Sequence, residues 1–397
     1  MIMLDVPFSH PAWIEIDLEQ FKTNLLAIKN HIGPKTKFCL PVKANAYGHG
    51  LVQIAKTAVA AKIDYLGVSC LQEGVLLRQA DIRIPILVLG AIHVEQIRYF
   101  IHYDLEFTIS SLYKAKLVAQ ACAEINKTVK VHLEIDTGMN RTGVRVESAN
   151  QVLDYIRSQP CFVLKGVYSH LATADSPAHP FSQAQINKFL EFLAQQDLIN
   201  NPDIICHLAN SAGTACFPET HLDMVRAGLL AFGYYPRQDM PANLSVIKSC
   251  FAIRAKVAYF KTVLQGEGVS YNHTHIAQKN SHVLTIPIGY GDGLRRCLSN
   301  KGAILLDGKK YPIVGNICMD QFMVDIGDDS GYVGDVVTIV GRDQHAEITV
   351  EELSKLCSTI PYEILCGFNN RLPRVYCTAT NNFWENATNQ AYENIIE

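Results

Sequence analysis

A single lysine, Lys43, follows an apolar segment, Phe38–Val42, and precedes a small and polar one. A charged side chain at the end of a buried strand lies where a barrel opens into a site. A partly desolvated lysine loses its proton more easily and can attack a carbonyl to form a Schiff base. Proteins hold pyridoxal phosphate in this way, so Lys43 is the most informative residue of the chain. Taken alone, it has an alternative interpretation as an ordinary loop lysine beside a short strand.

Other residues with useful chemistry occur at the ends of other predicted strands. Their hydroxyl groups, glycine-flanked amides and cationic side chains suit a phosphate or a carboxylate. They are Tyr47, Arg141, His170, Asn210-Ser211, Arg226 and Gly228-Leu229. Plainer alternatives exist, since His170 could be a satisfied core histidine, Arg226 a barrel ion pair and Ser211 part of a helix cap. Because all of these residues fall at the same end of different strands, we favour one shared site.

The elements that must position these residues alternate between short apolar strands and helix-period segments up to about residue 230. The predicted strands are Phe38–Val42, Tyr65–Val68, Ile86–Leu89, Leu105–Thr108, Val131–Ile135, Val163–Tyr168, Ile204–Leu208 and Met224–Ala227. The clearest helices are Gln53–Ala61 and Ser182–Gln196. This alternation predicts an α/β fold with an N-terminal (β/α)8 barrel of the TIM type, whose carboxyl strand ends carry the site. An additional strand, Trp13–Ile16, precedes the barrel, and we expect it to pack elsewhere.

A proline-bearing segment, 235–241, precedes a change to a β-rich pattern with turns at glycine. The predicted strands there are Phe251–Phe260, His282–Pro287, Tyr311–Val314, Phe322–Ile326 and Val336–Val340. One helix is predicted from Val350 to about Cys357, with Thr349 as its N-cap and Glu352 closing a capping box. We therefore expect a barrel domain at 1–240, a mostly β domain at 241–383 and a polar tail at 384–397.

Composition bounds the function class. Hydrophobic residues make up 48% of the 397 residues and charged residues only 18%, so much of the chain should be core. A net charge of −3 argues against nucleic acid as the main partner. The 14 histidines show no zinc-like spacing, and the 12 cysteines include no C-x-x-C, so we expect no metal and reduced thiols. No signal peptide or membrane-spanning stretch is visible, and we expect a soluble cytoplasmic protein.

Nine segments, in family order across nearly the whole chain, closely resemble those of the alanine racemases. They are Val42–Gly50, Asp136–Arg141, Ser169–Asp175, Asn210-Ser211, Arg226–Leu229, Gly268–Tyr271, Gly289–Gly293, Gly315–Asp320 and Pro361–Glu363. The resemblance implies a barrel plus a β domain, assembled as a head-to-tail homodimer with each active site shared between subunits. It also implies pyridoxal 5'-phosphate as the cofactor and a small-molecule amino acid as the substrate.

The resemblance assigns roles to particular residues. Lys43 holds the cofactor and is the base on one face of the substrate, and Tyr271 of the partner subunit is the base on the other face. Arg226 faces the pyridine nitrogen, and His170 links Arg226 to Tyr271. The phosphate is held by Tyr47, Ser211, Gly228, Leu229 and Tyr362, and the substrate carboxylate region is met by Arg141 and Met319.

The chemistry of racemisation explains these residue types. A Cα proton is removed from one face and another is returned to the opposite face, so two bases are needed. An arginine at the pyridine nitrogen stays charged and does not readily give up a proton. The ring is then a weaker electron sink than it would be beside a carboxylate.

Three residues depart from the family pattern. Glu134 stands where many members carry a lysine modified to a carbamate. Its negative charge can orient Arg141, but its side chain is much shorter. Phe232 replaces a common tyrosine, and Asn272 stands where glycine is usual. These changes affect the tuning of the site, not the reaction.

The leading hypothesis is a pyridoxal-phosphate-dependent alanine racemase that supplies D-alanine for peptidoglycan. One alternative is a racemase of broader or different specificity, acting on serine or lysine. A second is an amino-acid decarboxylase, which would place a carboxylate where this chain has Arg226. A third is a non-catalytic barrel protein that binds pyridoxal phosphate, which would lack the second domain and therefore Tyr271.

Overall fold

The computed structural model describes residues 11–176, 178–199, 201–235 and 241–378. They form two compact units, a barrel unit and a β unit. The barrel unit comprises Gln20–Ala46 and Gly50–Lys248. The β unit comprises the described residues up to Glu19, the segment Tyr47–His49 and the described residues from Ser249 onward. The predicted boundary at 240/241 stays a prediction, because residues 236–240 lie outside the described part of the chain, as does the predicted tail.

Eight parallel strands form the nearly closed barrel. In chain order, barrel strands 1 to 8 are Lys37–Pro41, Tyr65–Val68, Ile86–Val88, Glu106–Ile109, Val129–Asp136, Phe162–Tyr168, Ile205–His207 and Met224–Arg226. Each of strands 1 to 6 pairs with the next, and strand 8 pairs with strand 1, whereas strands 7 and 8 form no regular ladder with each other. Backbone hydrogen bonds nevertheless join the segments of strands 7 and 8. The Asp223 amide donates to the Cys206 carbonyl (3.1 Å), and the Arg226 amide donates to the Ala209 carbonyl (2.9 Å). The predicted TIM-type barrel is therefore confirmed.

One helix precedes barrel strand 1, and helices follow barrel strands 1 to 7, as the apolar periodicity predicts. They are Leu18–Ile32, Leu51–Ala60, Leu71–Gln79, Ile97–His102, Leu112–Ile125, Val146–Ser158, Pro180–Gln195 and Ser211–Cys216. In Leu51–Ala60 the buried residues Leu51, Ile54, Ala55 and Ala58 form one helical face. Pro180 occupies the first turn of its helix, where a missing N–H costs nothing. Both helices predicted most clearly from the sequence are confirmed.

A left-handed turn follows barrel strand 1 directly after Lys43. Ala44, Asn45, Ala46 and Tyr47 all have φ between 53° and 54°. Hydrogen bonds donated by backbone amides hold the turn. The Ala44 amide donates to Glu73 Oε1 (2.6 Å). The Leu51 amide donates to Asn45 Oδ1 (2.8 Å), and the Ala46 amide donates to the Val42 carbonyl (2.8 Å). A left-handed conformation costs roughly 1–2 kcal/mol per non-glycine residue, so these contacts must hold it in place.

The β unit is built on a ten-stranded sheet. In spatial order its strands are Tyr259–Val263, Ser281–Ile286, Phe322–Gly327, Lys309–Val314, Ala303–Leu306, Val336–Asp343, Phe251–Lys256, Ala12–Asp17 and Arg374–Cys377, with Ala346–Ile348 paired to Val336–Asp343. The predicted additional strand is confirmed as Ala12–Asp17. It pairs antiparallel with Phe251–Lys256 and parallel with Arg374–Cys377. A two-stranded ribbon, Gly268–Val269 with His275–Ile276, and the helices Val350–Leu356 and Pro361–Gly367 complete the unit.

Two predictions in the β unit need correction. The single strand predicted over Phe251–Phe260 is wrong, because the chain forms two strands that lie at different places in the sheet. Thr349 caps its helix as predicted, its hydroxyl accepting from the Glu352 amide (3.1 Å). The Glu352 carboxylate does not close a capping box, since it pairs with Lys310 instead.

The described helices include none that is both long and apolar enough to cross a membrane. The 12 cysteines are all free thiols.

Candidate active site

Arg226, the last residue of barrel strand 8, lies inside the barrel unit and is only 5% exposed. Its guanidinium donates to His207 Nδ1 (2.7 Å) and to the Ser169 carbonyl (2.7 Å), and it lies 3.4 Å from His170 Nδ1. Its carbon sits 5.0 Å from the centre of the Tyr168 ring. No carboxylate is among its hydrogen-bond partners in the described residues, so it is not a simple barrel ion pair. Burial lowers the pKa of Arg226, although a guanidinium remains a donor only.

His170 lies beside Arg226 and is neutral at physiological pH. Burial, followed by the charges of Arg226, Arg141 and Lys43, lowers the pKa of His170 from 6.5 to about 3. The structure therefore brings four predicted site residues into one electrostatic environment at the carboxyl ends of the barrel strands. Gln185 supports this segment by donating to the His170 carbonyl (3.1 Å) and accepting from the Ala172 amide (2.8 Å).

Lys43 is half-buried directly after barrel strand 1, at the start of the left-handed turn. The backbone turns away from the strand directly after Lys43, so the lysine remains at the strand end. Lys43 is thus placed where the sequence predicts it.

The segments after barrel strands 7 and 8 meet at Ser211. Asn210 caps the helix Ser211–Cys216, its side chain accepting from the Gly213 amide (2.9 Å). The Ser211 hydroxyl accepts from the Leu230 amide (3.2 Å), which connects it to the segment that contains Gly228 and Leu229. The capping role of Asn210 is compatible with anion binding at this position, because the cap leaves other amides of the helix available.

Arg141 follows a turn held by the Asp136 carboxylate, which accepts from the Gly138 amide (2.9 Å) and the Asn140 amide (3.1 Å). Arg141 is exposed and has no hydrogen bond or ion pair with the described residues. It can therefore meet an incoming carboxylate.

Glu134 is buried, and one of its oxygens accepts from the Thr142 hydroxyl (2.9 Å). The other oxygen has no hydrogen-bond partner in the described part of the chain. Burial raises the pKa of Glu134, and hydrogen bonding by Thr142 with the charges of Arg226 and Arg141 opposes that rise. Glu134 thus acts on Arg141 through charge, without a direct hydrogen bond.

In the β unit, Tyr271 is 69% exposed and begins the short turn Tyr271–His273. Its carbonyl accepts from Asn316 Nδ2 (2.7 Å), and the Ser270 hydroxyl donates to the Asn316 carbonyl (2.6 Å). Asn272 has φ of 63°, a left-handed conformation that asparagine tolerates better than most residues, which explains how it stands where glycine is usual. The phenol is therefore presented outward by a fixed backbone.

Met319 lies in the β unit and is 54% exposed. Its carbonyl accepts from the Gly291 amide (2.8 Å), and the neighbouring Asp320 pairs with Arg371 (2.7 Å). A Cβ at Gly289 would lie 2.2 Å from the Met319 carbonyl oxygen, so glycine permits this close approach. The Gly289–Gly293 and Gly315–Asp320 motifs thus meet.

Tyr47 and Tyr362, both predicted phosphate ligands, lie together in the β unit with ring centres 5.9 Å apart. The Gly48 carbonyl next to Tyr47 accepts from Arg374 (3.0 Å). Phe232, a departure in the barrel unit, stacks on Phe21 with ring centres 5.5 Å apart. It serves core packing there and needs no hydroxyl.

Sequence reasoning missed three buried polar residues that lead to Arg226: His207, His132 and Glu106. A polar residue inside an otherwise apolar predicted strand, Ile204–Leu208, was the available signal for His207. No spacing in the sequence shows that these three residues meet.

A barrel with a lysine after strand 1, a buried arginine at the end of strand 8 and phosphate-type donors after strands 7 and 8 defines a class of barrel proteins that hold an anionic carbonyl cofactor. Comparison with known proteins narrows this class. Residues 16–236 match the N-terminal domain model of alanine racemase, and residues 250–376 match its C-terminal domain model. The chain belongs to the alanine racemase family.

Individual relatives agree with this assignment. The alanine racemase of Nostoc sp. is 39% identical over 372 residues, 93% of this chain and 96% of that protein. The crystal structure of the Bacillus anthracis alanine racemase with bound L-Ala-P has a TM-score of 0.88 at 33% identity and covers 94% of this chain and 97% of its own. The Bartonella henselae alanine racemase with covalently bound pyridoxal phosphate has a TM-score of 0.83 at 27% identity, covering 92% and 99%.

Proposed function

We propose that this protein interconverts L-alanine and D-alanine with pyridoxal 5'-phosphate as cofactor, and that Lys43 and Tyr271 are its two bases. The observation that carries the proposal is the extent of the two family matches, 16–236 and 250–376, which together contain every predicted site residue. As a family member, the protein is an isomerase. Its cofactor is pyridoxal phosphate, as in the Bartonella henselae relative.

The residues present fit this cofactor. Lys43 offers an amine at the end of barrel strand 1, and Ser211 offers a hydroxyl that is already joined to the segment after strand 8. We assign the phosphate to Ser211, Gly228 and Leu229, with Tyr47 and Tyr362. We assign Arg226 as the partner of the pyridine nitrogen. No carboxylate is among the hydrogen-bond partners of Arg226 in the described residues. When bound, the cofactor withdraws electrons from the substrate and weakens its Cα–H bond.

The chain's own residues divide the remaining work. Lys43 Nζ holds or releases the Cα proton on one face, and the Tyr271 oxygen does so on the other. Arg141 and Met319 meet the substrate carboxylate region, where the Arg141 cation can form charge-assisted hydrogen bonds. Arg226 donates a hydrogen bond but keeps its proton, which limits how much negative charge the ring accepts.

His170 connects the two sides of this arrangement. Since it is neutral and faces an Arg226 donor at Nδ1, its hydrogen is on Nε2. An Nε2–H can donate to a phenolate oxygen and stabilise it. We therefore assign His170 as the link between Arg226 and Tyr271.

We further propose that the site is shared in a homodimer, that the enzyme works in the cytoplasm and that its D-alanine serves peptidoglycan. The family resemblance supports the shared site, and the general role of alanine racemases supports the cell-wall role. A decarboxylase is disfavoured because Arg226 stands where that chemistry uses a carboxylate. A non-catalytic binding protein is disfavoured because the β unit with Tyr271 is present.

The first test is a racemase assay on alanine, serine and lysine with the purified protein carrying its cofactor. We expect alanine to be the preferred substrate and no carbon dioxide to be released. Borohydride reduction followed by peptide mapping should find the fixed cofactor on Lys43. A preference for serine or lysine, or label on any other residue, would refute the assignment.

The second test addresses the two bases separately. Tyr271→Phe should bind the cofactor normally but lower racemisation by about 100-fold or more, because general bases typically contribute two to four orders of magnitude. In deuterated water the variant should retain Cα exchange for one alanine enantiomer and lose it for the other. Equal exchange from both enantiomers would rule out the two-base assignment.

A further inference from the structure

A continuous chain of hydrogen bonds crosses the interior of the barrel unit and ends on Arg226. Glu106 Oε2 lies 2.8 Å from His132 Nε2, and His132 Nδ1 lies 3.0 Å from His207 Nε2. His207 Nδ1 lies 2.7 Å from Arg226 Nη1. The four residues come from barrel strands 4, 5, 7 and 8, and none is more than 5% exposed. The carboxylate of this chain lies near the amino end of strand 4, remote from the strand ends where the reaction is proposed.

The chain can run in only one direction. A guanidinium can only donate, so His207 Nδ1 accepts and the His207 hydrogen is on Nε2. His132 Nδ1 must then accept, and the His132 hydrogen is on Nε2, where it meets the Glu106 carboxylate. Starting from the carboxylate, which can only accept, gives the same result. Burial, with the charges of Arg226 and His132, holds the pKa of His207 well below its ordinary value, in agreement with a neutral ring.

The barrel interior is shaped around this chain. A Cβ at Gly166 in strand 6 would lie 2.4 Å from His132 Nδ1, so glycine leaves the space that the imidazole occupies. The Tyr168 ring stacks on His207 with centres 4.8 Å apart and planes 11° apart. Tyr168 also lies under the Arg226 guanidinium. Both histidine rings are thus held in one orientation by their neighbours.

We propose that Glu106 is a positioning residue for racemisation: as the acceptor at the far end of the chain, it holds His132 and His207 in the tautomers that Arg226 requires, and it thereby maintains the orientation of Arg226. The inference rests on the role proposed above for Arg226. Glu106 is the carboxylate end of the chain, and it is joined to the guanidinium through the two imidazole rings. Arg226 can then face the cofactor without a carboxylate beside it.

Loss of the acceptor at position 106 has a defined consequence. If His132 loses its Nε2 acceptor, the buried Nε2–H is left unsatisfied, and His132 relieves this cost only by moving the hydrogen to Nδ1, where it points at the hydrogen on His207 Nε2. His207 must then shift its own hydrogen to Nδ1, where it meets an N–H of Arg226. Two donors face each other at that point, and Arg226 must move.

Nitrogen NMR of the protein labelled with 15N-histidine and carrying its cofactor tests the chain directly. Signals are assigned by their loss in His132→Gln and His207→Gln. Wild type and Glu106→Gln should both show Nε2–H tautomers at the two histidines, because the glutamine oxygen still accepts. Glu106→Leu should change both tautomers. A wild-type protein with Nδ1–H at either histidine overturns the proposal, even if the Leu variant does not fold.

Kinetics on alanine supply the second readout. We expect kcat to fall at least about tenfold in Glu106→Leu with a smaller change in KM, and to stay within about threefold of wild type in Glu106→Gln, because supporting contacts typically alter catalysis by one to two orders of magnitude. Unchanged tautomers or kcat in a folded Glu106→Leu protein would refute the proposal. Absence of racemase activity in the wild type would instead refute the proposed function, since the tautomer measurement needs no substrate.

A matched control separates positioning from general stability. Ser182 is fully buried on the helix Pro180–Gln195, and its hydroxyl lies 2.7 Å from that of Thr173. Ser182→Ala removes a buried hydrogen bond away from the chain, so it should lower the melting temperature and leave tautomers and kcat unchanged. The same tautomer change in Ser182→Ala would show that the response is nonspecific and overturn the proposal.

Discussion

His170 illustrates how charge surroundings select the form of one residue. It faces Arg226, Arg141 and Lys43, and all three cations oppose its protonation. A charged imidazole at this position would repel Arg226. The neutral ring accepts at one nitrogen and donates at the other, which is what a link between an arginine and a phenolate requires.

The neutral state of His170 makes the stability of the protein depend on pH. The pKa of His170 is lowered from 6.5 to about 3, so the unfolded chain takes up a proton below pH 6.5 that the folded protein does not. The contribution of His170 is present above pH 6.5 and is lost as pH falls towards 3. Relative to His170→Gln, the wild type should lose roughly 2 kcal/mol of unfolding free energy between pH 8 and pH 5.

Chemical denaturation of both proteins across this pH range measures the effect. Groups common to the two proteins, including His207 and the carboxylates, cancel in the comparison. Curves that remain parallel from pH 8 to pH 5 would show that His170 titrates normally.

At the scale of elements, the left-handed turn after Lys43 is a local departure from favourable backbone geometry. Its four residues have left-handed dihedrals although none is glycine. The side chains of Glu73 and Asn45 hold the turn by accepting backbone amides. The turn therefore holds Lys43 in position against a local conformational cost.

Ala44→Gly should raise the unfolding free energy by up to about 1 kcal/mol, because glycine adopts positive φ without a steric penalty. Ala44 is exposed, so no side-chain contact is lost. The matched control is Ala123→Gly in the helix Leu112–Ile125, also exposed, which should lower stability by about 1 kcal/mol. Thermal unfolding of both variants checks the opposite signs, and equal destabilisation would contradict the strain argument.

The sequence predicts elements well where one apolar run corresponds to one strand. All eight barrel strands meet this condition, and with them the positions of Lys43 and Arg226 follow. The run Phe251–Phe260 does not, because it changes partner from Ala12–Asp17 to Ser281–Ile286 without any change in its own pattern. The chain from Glu106 to Arg226 is likewise invisible in the sequence, since its members come from four strands and meet only when the barrel closes.

At the scale of the whole molecule, the proposed site joins residues of two subunits. Tyr271 is turned outward by its own backbone, as expected of a side chain that serves a second copy of the chain. Lys43 belongs to the barrel unit and Tyr271 to the β unit. If these residues act in different subunits, each active site needs the barrel unit of one chain and the β unit of the other.

Mixing two inactive variants tests this arrangement. Lys43→Ala and Tyr271→Phe, unfolded together and refolded as a mixture, should recover about a quarter of wild-type activity, because half of the dimers are mixed and each mixed dimer has one intact site. Each variant refolded alone should stay inactive. An inactive mixture containing well-folded dimers would mean that both bases lie within one chain.

The pairing of Ala12–Asp17 with Arg374–Cys377 has a consequence for how the protein is made. Ala12–Asp17 leaves the ribosome long before Arg374–Cys377, the strand beside which it takes its place. Until then, its edge has only a temporary neighbour or none, while the barrel residues between them can already fold. The pairing of these two strands is therefore a late step in assembly of the β unit, and chains truncated before residue 374 should engage chaperones longer than chains that include Arg374–Cys377.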